Sequence, residues 1–410
     1  MKAAPDRRSC LPALCSLILM AAPLEACADL WTVENSVSSR IESNDSIAFS
    51  TGSSGTLYTL SLTDTFAASR QMENSASRLN AQATAVREFD PGQDRIDGQI
   101  GWTQSFNDPL NSATLALLYA QDFNNLVQTA DVTQGRGRRR TATLNAAWTR
   151  ALTERFNASA QASADRTDYD QQSSDGTDFR NAALSGSLLY RLTEVDTLSV
   201  KAGRSEYFTR PDTNRATTGD LNASLSRVLS DRHSASIGLG YYRTTSSGSQ
   251  SRLACPVQAS LCSLGLVPYL AVTERAESTR SGLQYSVTDT FRFDETSDLA
   301  FSAGRQQSPS GAGVVVSSDT VKASVNHAFS ETSTGTLSYV QSRSTYLQGE
   351  DFVRPQQRTL SASLSRQWSP SLRVQAGYQR THENGPGTRA RSNRLSLTAQ
   401  YEWPRIEATR

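Results

Sequence analysis

From Arg140 to Arg150 the chain reads RTATLNAAWTR, with Ala142, Leu144, Ala146 and Trp148 on one side of an extended segment. Thr141, Thr143, Asn145 and Thr149 occupy the other side. The same alternation returns at 156–165, 220–226, 234–241, 359–365, 372–378 and 395–403. A period of two means β-strands, and a polar face of Ser, Thr, Asn and Gln on strand after strand has few architectural solutions. A single antiparallel transmembrane β-barrel with a wet lumen is the expected fold, an all-β chain of about eighteen strands.

The first residues fit that expectation. Lys2, Arg7 and Arg8 precede an apolar run from Leu11 to Pro23, and Ala26-Cys27-Ala28 offers a cleavage site. Residues 1–28 therefore read as a secretory signal peptide and 29–410 as the barrel. A buried N-terminal helix and lipidation at Cys27 are the alternatives, the latter disfavoured by Glu25. No later stretch reaches the roughly 18 to 20 apolar residues of a membrane helix. A mean hydropathy of -0.47 is compatible with a barrel, since only alternate residues would meet lipid. With 41 Lys plus Arg against 40 Asp plus Glu, no nucleic-acid partner is indicated.

Alternating segments can be placed between 31–40 and 392–403, eighteen in all. Short connections fall at 151–155, 193–196, 230–233, 331–335 and 369–371; longer ones fall at 124–139, 170–179, 246–278, 307–317, 348–356 and 383–391. Short turns on one rim and longer loops on the other predict periplasmic turns, extracellular loops and an integral outer-membrane location. The connection 67–77 breaks the pattern by being long where a short turn is due. Phe66, Trp148, Tyr190, Phe291, Phe329 and Trp368 recur at the short-turn end of their strands. Such repetition favours an interfacial girdle over the core of a soluble sandwich. The tail PRIEATR beyond Trp403 departs from barrels that end on an aromatic residue.

The stretches WTVENSVSSRIESNDSIAFS and TLYTLSLTDTF, and pairs such as SLSRVLSDRHSASIGLGYYR, resemble porin-type outer-membrane barrels associated with exopolysaccharide and exosortase systems. In that family a short turn with a Ser/Thr, Glu/Asp and Arg core joins two alternating strands. The resemblance spans nearly all of 29–410 and implies a polysaccharide export channel working with a periplasmic polysaccharide export protein. It brings no catalytic or binding motif. A general diffusion porin for small solutes and a structural or adhesive barrel are the alternatives.

Alternation places Arg95, Asp97, Gln99, Asn145, Asn157, Gln161, Asp165, Arg191, Lys201, Asn222, Gln284, Lys322, Asn326, Arg373, Gln375 and Glu402 towards the lumen. Both charge signs and many amides suit a hydrated, sugar-compatible wall. Arg136, Arg138, Arg139 and Arg140 are expected on an extracellular loop, as a solvated edge or as a contact for lipopolysaccharide phosphates. Outer-membrane lipid and lipopolysaccharide are accordingly expected partners, with a polysaccharide as substrate. Only Lys2, Lys201 and Lys322 are lysines, a bias that codon usage or pairing with acidic groups would produce. Cys255 and Cys262 are candidates for a small disulfide staple. His233, His327 and His382 are too scattered for a metal site, so neither metal nor cofactor is expected. No spacing of Ser, His and Asp suggests catalysis, and an enzyme is not expected.

Overall fold

The computed structural model describes residues 30–45, 56–89, 93–124, 137–170, 177–210, 214–254, 270–309, 315–346, 356–385 and 388–409. Among these residues there is no helix. The strands are β1 (Leu30–Asn44), β2 (Leu57–Gln71), β3 (Ser75–Glu88), β4 (Gln93–Asn107), β5 (Asn111–Asn124) and β6 (Gly137–Ala151). Then come β7 (Phe156–Tyr169), β8 (Asp178–Arg191), β9 (Asp196–Arg210), β10 (Asn214–Ser230), β11 (His233–Ala254) and β12 (Leu270–Arg292). The last are β13 (Ser297–Pro309), β14 (Val315–Ser330), β15 (Ser333–Tyr346), β16 (Gln356–Ser369), β17 (Leu372–Gly385), β18 (Thr388–Glu402) and β19 (Ile406–Thr409).

Each strand from β1 to β18 pairs antiparallel with its sequence neighbours, and β1 closes on β18 from Ser36↔Glu402 to Asn44↔Arg394. The sheet is a closed eighteen-stranded barrel, in which every strand has a partner on both sides over at least part of its length. The tail beyond Trp403 has a structural role: β19 pairs with Leu30–Val33, continuing the β18 edge along β1. Trp403, Pro404 and Arg405 stand opposite Glu34 and Asn35, a bulge that accommodates a residue without an amide hydrogen.

Two kinds of turn recur along the short-turn rim. At 152–155 and 192–195 the amides of Leu152 and Leu192 donate to the carbonyls of Phe156 and Asp196 at 2.8 and 2.9 Å. Thr153 Oγ1 and Thr193 Oγ1 then accept from the Phe156 and Asp196 amides at 3.0 and 2.9 Å. After β10, β14 and β16 the ladder instead skips one residue, Leu229, Phe329 or Trp368. The following serine, Ser230, Ser330 or Ser369, accepts an amide from the turn. These bulges aim three large apolar side chains, 51%, 63% and 66% exposed, away from the wall.

Two expectations about connections are corrected. The segment 67–77 is not a long connection: β2 runs to Gln71, β3 starts at Ser75, and Met72 donates to the Ser75 carbonyl at 2.8 Å. The alternation there is blurred by Ala67, Ala68 and Ala76, which satisfy either face. The loop assigned to 246–278 is mostly ladder, since β11 and β12 pair as far as Ala254↔Leu270. The same lengthening shortens the gaps at 124–139, 307–317 and 383–391. Polar and charged residues continue an antiparallel ladder in water as readily as apolar ones, so composition does not mark where pairing stops.

The two faces of the wall are told apart by one contact. Tyr207 of β9, Ala216 of β10 and Val315 of β14 belong to a single buried cluster, although β11, β12 and β13 lie between them along the wall. Such a contact is made only across the concave side. Directly paired residues share a face, so the register carries this assignment around the barrel. Inside are Ser, Thr, Asn and Gln pairs such as Thr63–Thr84, Ser159–Ser187 and Gln82–Gln99. Outside are Leu60, Leu62, Ile96, Ile100, Leu184, Leu188, Ile237, Leu239, Leu360, Leu364, Leu395 and Leu397, all exposed.

Candidate functional site

The sixteen positions predicted to line the lumen lie on the inner face. Gln99, Gln161, Arg191, Lys201, Lys322, Arg373, Gln375 and Glu402 are exposed there, so this part of the interior is open. Others are engaged by neighbours. Arg95 bridges Asp97 at 3.1 Å and the fully buried side chain of Glu88. Asn181 donates to Asp165 at 3.0 Å, and Asn326 donates to Asp298 at 2.9 Å while accepting from Thr336 at 2.9 Å. At the closure Glu42 takes Arg40 at 2.7 Å and Arg394 at 3.0 Å. Periodicity alone does not single out Glu88, Glu42 or Arg394; each is the charged end of a strand that resembles loop in composition.

The element that most shapes the lumen is the hairpin of β13 and β14. Pairing between β12 and β13 ends at Ser286↔Gly304, whereas β13 and β14 stay paired to Pro309↔Val315. The freed upper part of the hairpin turns inward and meets the β7–β11 wall. Val315 belongs to one buried cluster with Tyr169, Phe179, Tyr207, Ala216 and Tyr242. Val315 and Val316 are 5% and 0% exposed, and Tyr207 and Ala216 are 2% exposed. Gln307, Ser308 and Val315 on one side and Asn181, Ser205 and Thr218 on the other enclose a gap of only about 20 Å³, room for about one water. The inner hydroxyls around this contact are buried and paired, Thr218 with Thr244 at 2.8 Å and Ser246 with Ser278 at 2.8 Å. The hairpin is tied at its root by Asp319, which accepts from the Tyr285 hydroxyl at 3.2 Å and from Arg305 at 2.6 and 2.9 Å. The lumen is thus wide and wet towards the short turns and narrowed near the loop rim. Nothing in the periodicity of 298–330 foretells the inward turn, since the strand pattern is the same whether or not β12 follows.

The basic run is corrected. Arg138, Arg139 and Arg140 are strand residues of β6, paired with Phe123, Asp122 and Gln121. Arg139 points inward and holds Asp122 at 2.7 and 2.9 Å, while Arg140 is exposed on the outer side. Arg136, Cys255 and Cys262 lie outside the described residues. His382, placed near a loop, is a residue of β17. His327 faces outward, its Nδ1 bonded to Ser297 Oγ at 2.8 Å, and His233 Nε2 lies 2.7 Å from Asp289. No cluster of three or more His, Cys, Asp or Glu side chains able to hold a metal occurs among the described residues.

The outer face carries an apolar belt. On β6 it runs between Arg140 and Arg150, and on β16 between Arg358 and Arg366. Eight to ten residues at about 3.4 Å each, tilted by roughly 40°, span about 21–26 Å along the axis. Phe66, Trp148, Tyr190, Phe291, Phe329 and Trp368 all lie on this face towards the short turns. Asp64, exposed between Leu62 and Phe66 in the middle of β2, is an unusual charge within the belt.

No protein-family model matches the chain, and no curated protein matches it. Among solved structures it is similar to Pseudomonas aeruginosa OccK2 (OpdF), at 10% identity over 91% of this chain and 97% of that one, with a TM-score of 0.49. For Pseudomonas aeruginosa OpdQ the identity is 10%, the coverage 91% and 99%, and the TM-score 0.48. The ferric-catecholate import receptor Fiu of E. coli K12, in its open form, gives 10% identity over 90% and 81%, with a TM-score of 0.44.

Proposed function

We propose that this chain is an integral outer-membrane channel through which small polar solutes diffuse. An exterior belt of about 21–26 Å is close to the height of the apolar band of barrels that cross an outer membrane. The inner wall offers hydroxyls, amides and both charge signs, which replace water around a passing solute without demanding one ion. The observation that carries the reading is the inward β13–β14 hairpin: it leaves the lumen wet but narrow near one mouth. By the usual architecture the short turns face the periplasm and the narrowing lies on the extracellular side.

Export of a secreted polysaccharide, the role implied by the family resemblance, asks for an aperture that passes a hydrated chain. The packing of Val315 against Tyr207 and Ala216 favours small solutes over that role. The test is liposome swelling with the purified barrel and neutral sugars of increasing length. Entry of mono- and disaccharides with exclusion of long oligosaccharides is the expected result. Equal exclusion of all sugars by a correctly folded barrel would overturn it. Loss of surface polysaccharide with periplasmic accumulation in a deletion strain would restore the export reading.

A further inference from the structure

We propose that the outer face of β15–β18 near the loop rim binds the phosphate groups of a membrane lipid, which in an outer membrane are those of lipopolysaccharide. The inference rests on the membrane placement proposed above. Arg343 on β15, Arg358 on β16, Arg380 on β17 and Arg391 on β18 are all exposed on the outer face. The register gathers them: Arg358 is directly paired with His382, and His382 with Arg391. Arg380 sits one row nearer the belt, paired with Leu360 and Asn393, and Arg343 one row nearer the loops, paired with Gln356.

Among the described residues the four share the lack of an acidic partner, which sets them apart from several arginines elsewhere at this height. On β7–β10 several exterior arginines are answered by carboxylates, Arg166 by Asp168 at 2.8 Å and Arg204 and Arg215 by Glu206 at 2.8 and 3.6 Å, whereas Arg180, paired with Arg166, has no ion pair among the described residues. Among the described residues the outer face of β15–β18 carries no acidic side chain in these rows. Of the flanking acids, Asp319, directly paired with Arg343 across the β14–β15 ladder, is taken by Arg305, and Asp45 accepts from the amide and side chain of Asn393. His382, in the middle of the patch, has a buried Nδ1 with no hydrogen-bond partner in the protein.

The patch also stands at a defined height. In the Arg380 row the Tyr339 hydroxyl donates to Gln341, and one row down the Tyr378 hydroxyl donates to Asn393, each at 2.9 Å. Leu360 lies in the Tyr339 row and Leu337 and Leu395 in the Tyr378 row, and the face continues below with Leu364 and Leu397. Tyrosines with the ring in the belt and the hydroxyl above it mark the headgroup level. Unneutralised guanidinium groups at that level match phosphate oxygens in charge and in bidentate geometry, which lysines would not. The acyl chains of the same lipid would lie along the leucines beneath.

The test uses the intact barrel purified in mild detergent and the variant R343Q/R358Q/R380Q/R391Q. Retained lipid is measured by native mass spectrometry after exposure to a bis-phosphorylated lipid A or to its dephosphorylated form. The wild type is expected to keep the phosphorylated glycolipid in preference to the other, and the variant to lose roughly tenfold or more of that retention. A second variant, R150Q/R227Q/R366Q at the short-turn rim, should retain it as the wild type does. Heat-modifiable gel mobility identifies folded barrel, and R358Q/R380Q serves if the fourfold variant does not fold. Equal retention of both glycolipids by the wild type, or unchanged retention by the patch variants, would overturn the proposal. Resistance to carbonate extraction reports membrane insertion separately, so failure of the placement is distinguishable from failure of the phosphate site.

Discussion

Asp319 holds both arms of the Arg305 guanidinium, at 2.6 and 2.9 Å, at the level where β13 has left β12. The pair ties the upper β13–β14 hairpin in its inward position, and the Tyr285 hydroxyl on β12 adds a third bond to the same carboxylate. Charge-assisted bonds of this kind contribute roughly 1–3 kcal/mol, towards the lower end where solvent screens them. Asp319→Ala is therefore expected to shift the hairpin about tenfold towards released positions. Single-channel recording checks this as a larger, noisier conductance; an unaltered conductance would mean that the hairpin is held by its apolar tip alone.

The ring of Tyr242 lies across Gly282, its directly paired neighbour on β12. A Cβ at Gly282 would meet the Tyr242 hydroxyl oxygen at 2.8 Å and two of its ring carbons at 2.9 Å, and Tyr242 is itself buried in the Val315 cluster. Gly282→Val must push the ring towards the hairpin, at a cost of about 1–3 kcal/mol for overpacking. The expected outcome is lower resistance to urea in lipid vesicles, with solute flux also changed. Gly186→Val, where the nearest atom would lie at 3.8 Å, is the matched control.

Asp64 should be a stability defect in a membrane. Its cross-strand neighbours are Val37 and Ala83, and no hydrogen bond or ion pair satisfies it among the described residues. A carboxylate facing lipid near mid-belt costs on the order of 1–2 kcal/mol. Asp64→Leu is expected to stabilise the barrel by that amount in vesicles. A destabilised variant would instead indicate that Asp64 serves a contact with another protein in the membrane.

The turns carry a pH dependence that can be read residue by residue. The amides of Leu110 and Asn111 donate to Asp108 Oδ1 at 2.8 and 2.6 Å. The Leu110 amide foremost, then the Asn111 side chain and amide, hold this carboxyl below the usual carboxylate range. Asp294 is lowered in the same way by the hydroxyl and then the amide of Thr296. Because the folded value lies below the unfolded one, the carboxylate stabilises its turn fully above the ordinary carboxylate range. That contribution fades as pH falls through the lowered folded value. Carboxyl-carbon NMR titration in micelles should find both residues ionised at a pH where free aspartate is half protonated. In Asp108→Asn the acid-induced loosening of the 108–110 turn should disappear.

Much of this architecture is legible in the chain itself. The strict alternation of 140–150 or 359–365 permits one kind of element, and its repetition with an uncharged exterior permits a closed wall with a polar interior. The inward orientation of Lys201, Lys322 and Arg373 follows from counting by twos, because side-chain direction in a strand is a local property. Strand ends are less legible, as at 67–77 and 246–278, because alanines fit both faces and polar residues pair as well as apolar ones above the belt.

The meeting of distant strands is written nowhere in the alternation. Residues 305–309 and 315–319 alternate like any other strand ends, yet they leave β12, turn inward and bury Val315 with Tyr207 and Ala216. Arg343, Arg358, Arg380 and Arg391 are scattered over almost fifty residues of sequence and become one patch only through the register of four strands. Alternation is dictated within a few residues by backbone geometry, and the chain carries it openly. Register and lumen packing depend on which strand lies beside which after closure, and that is a property of the whole barrel.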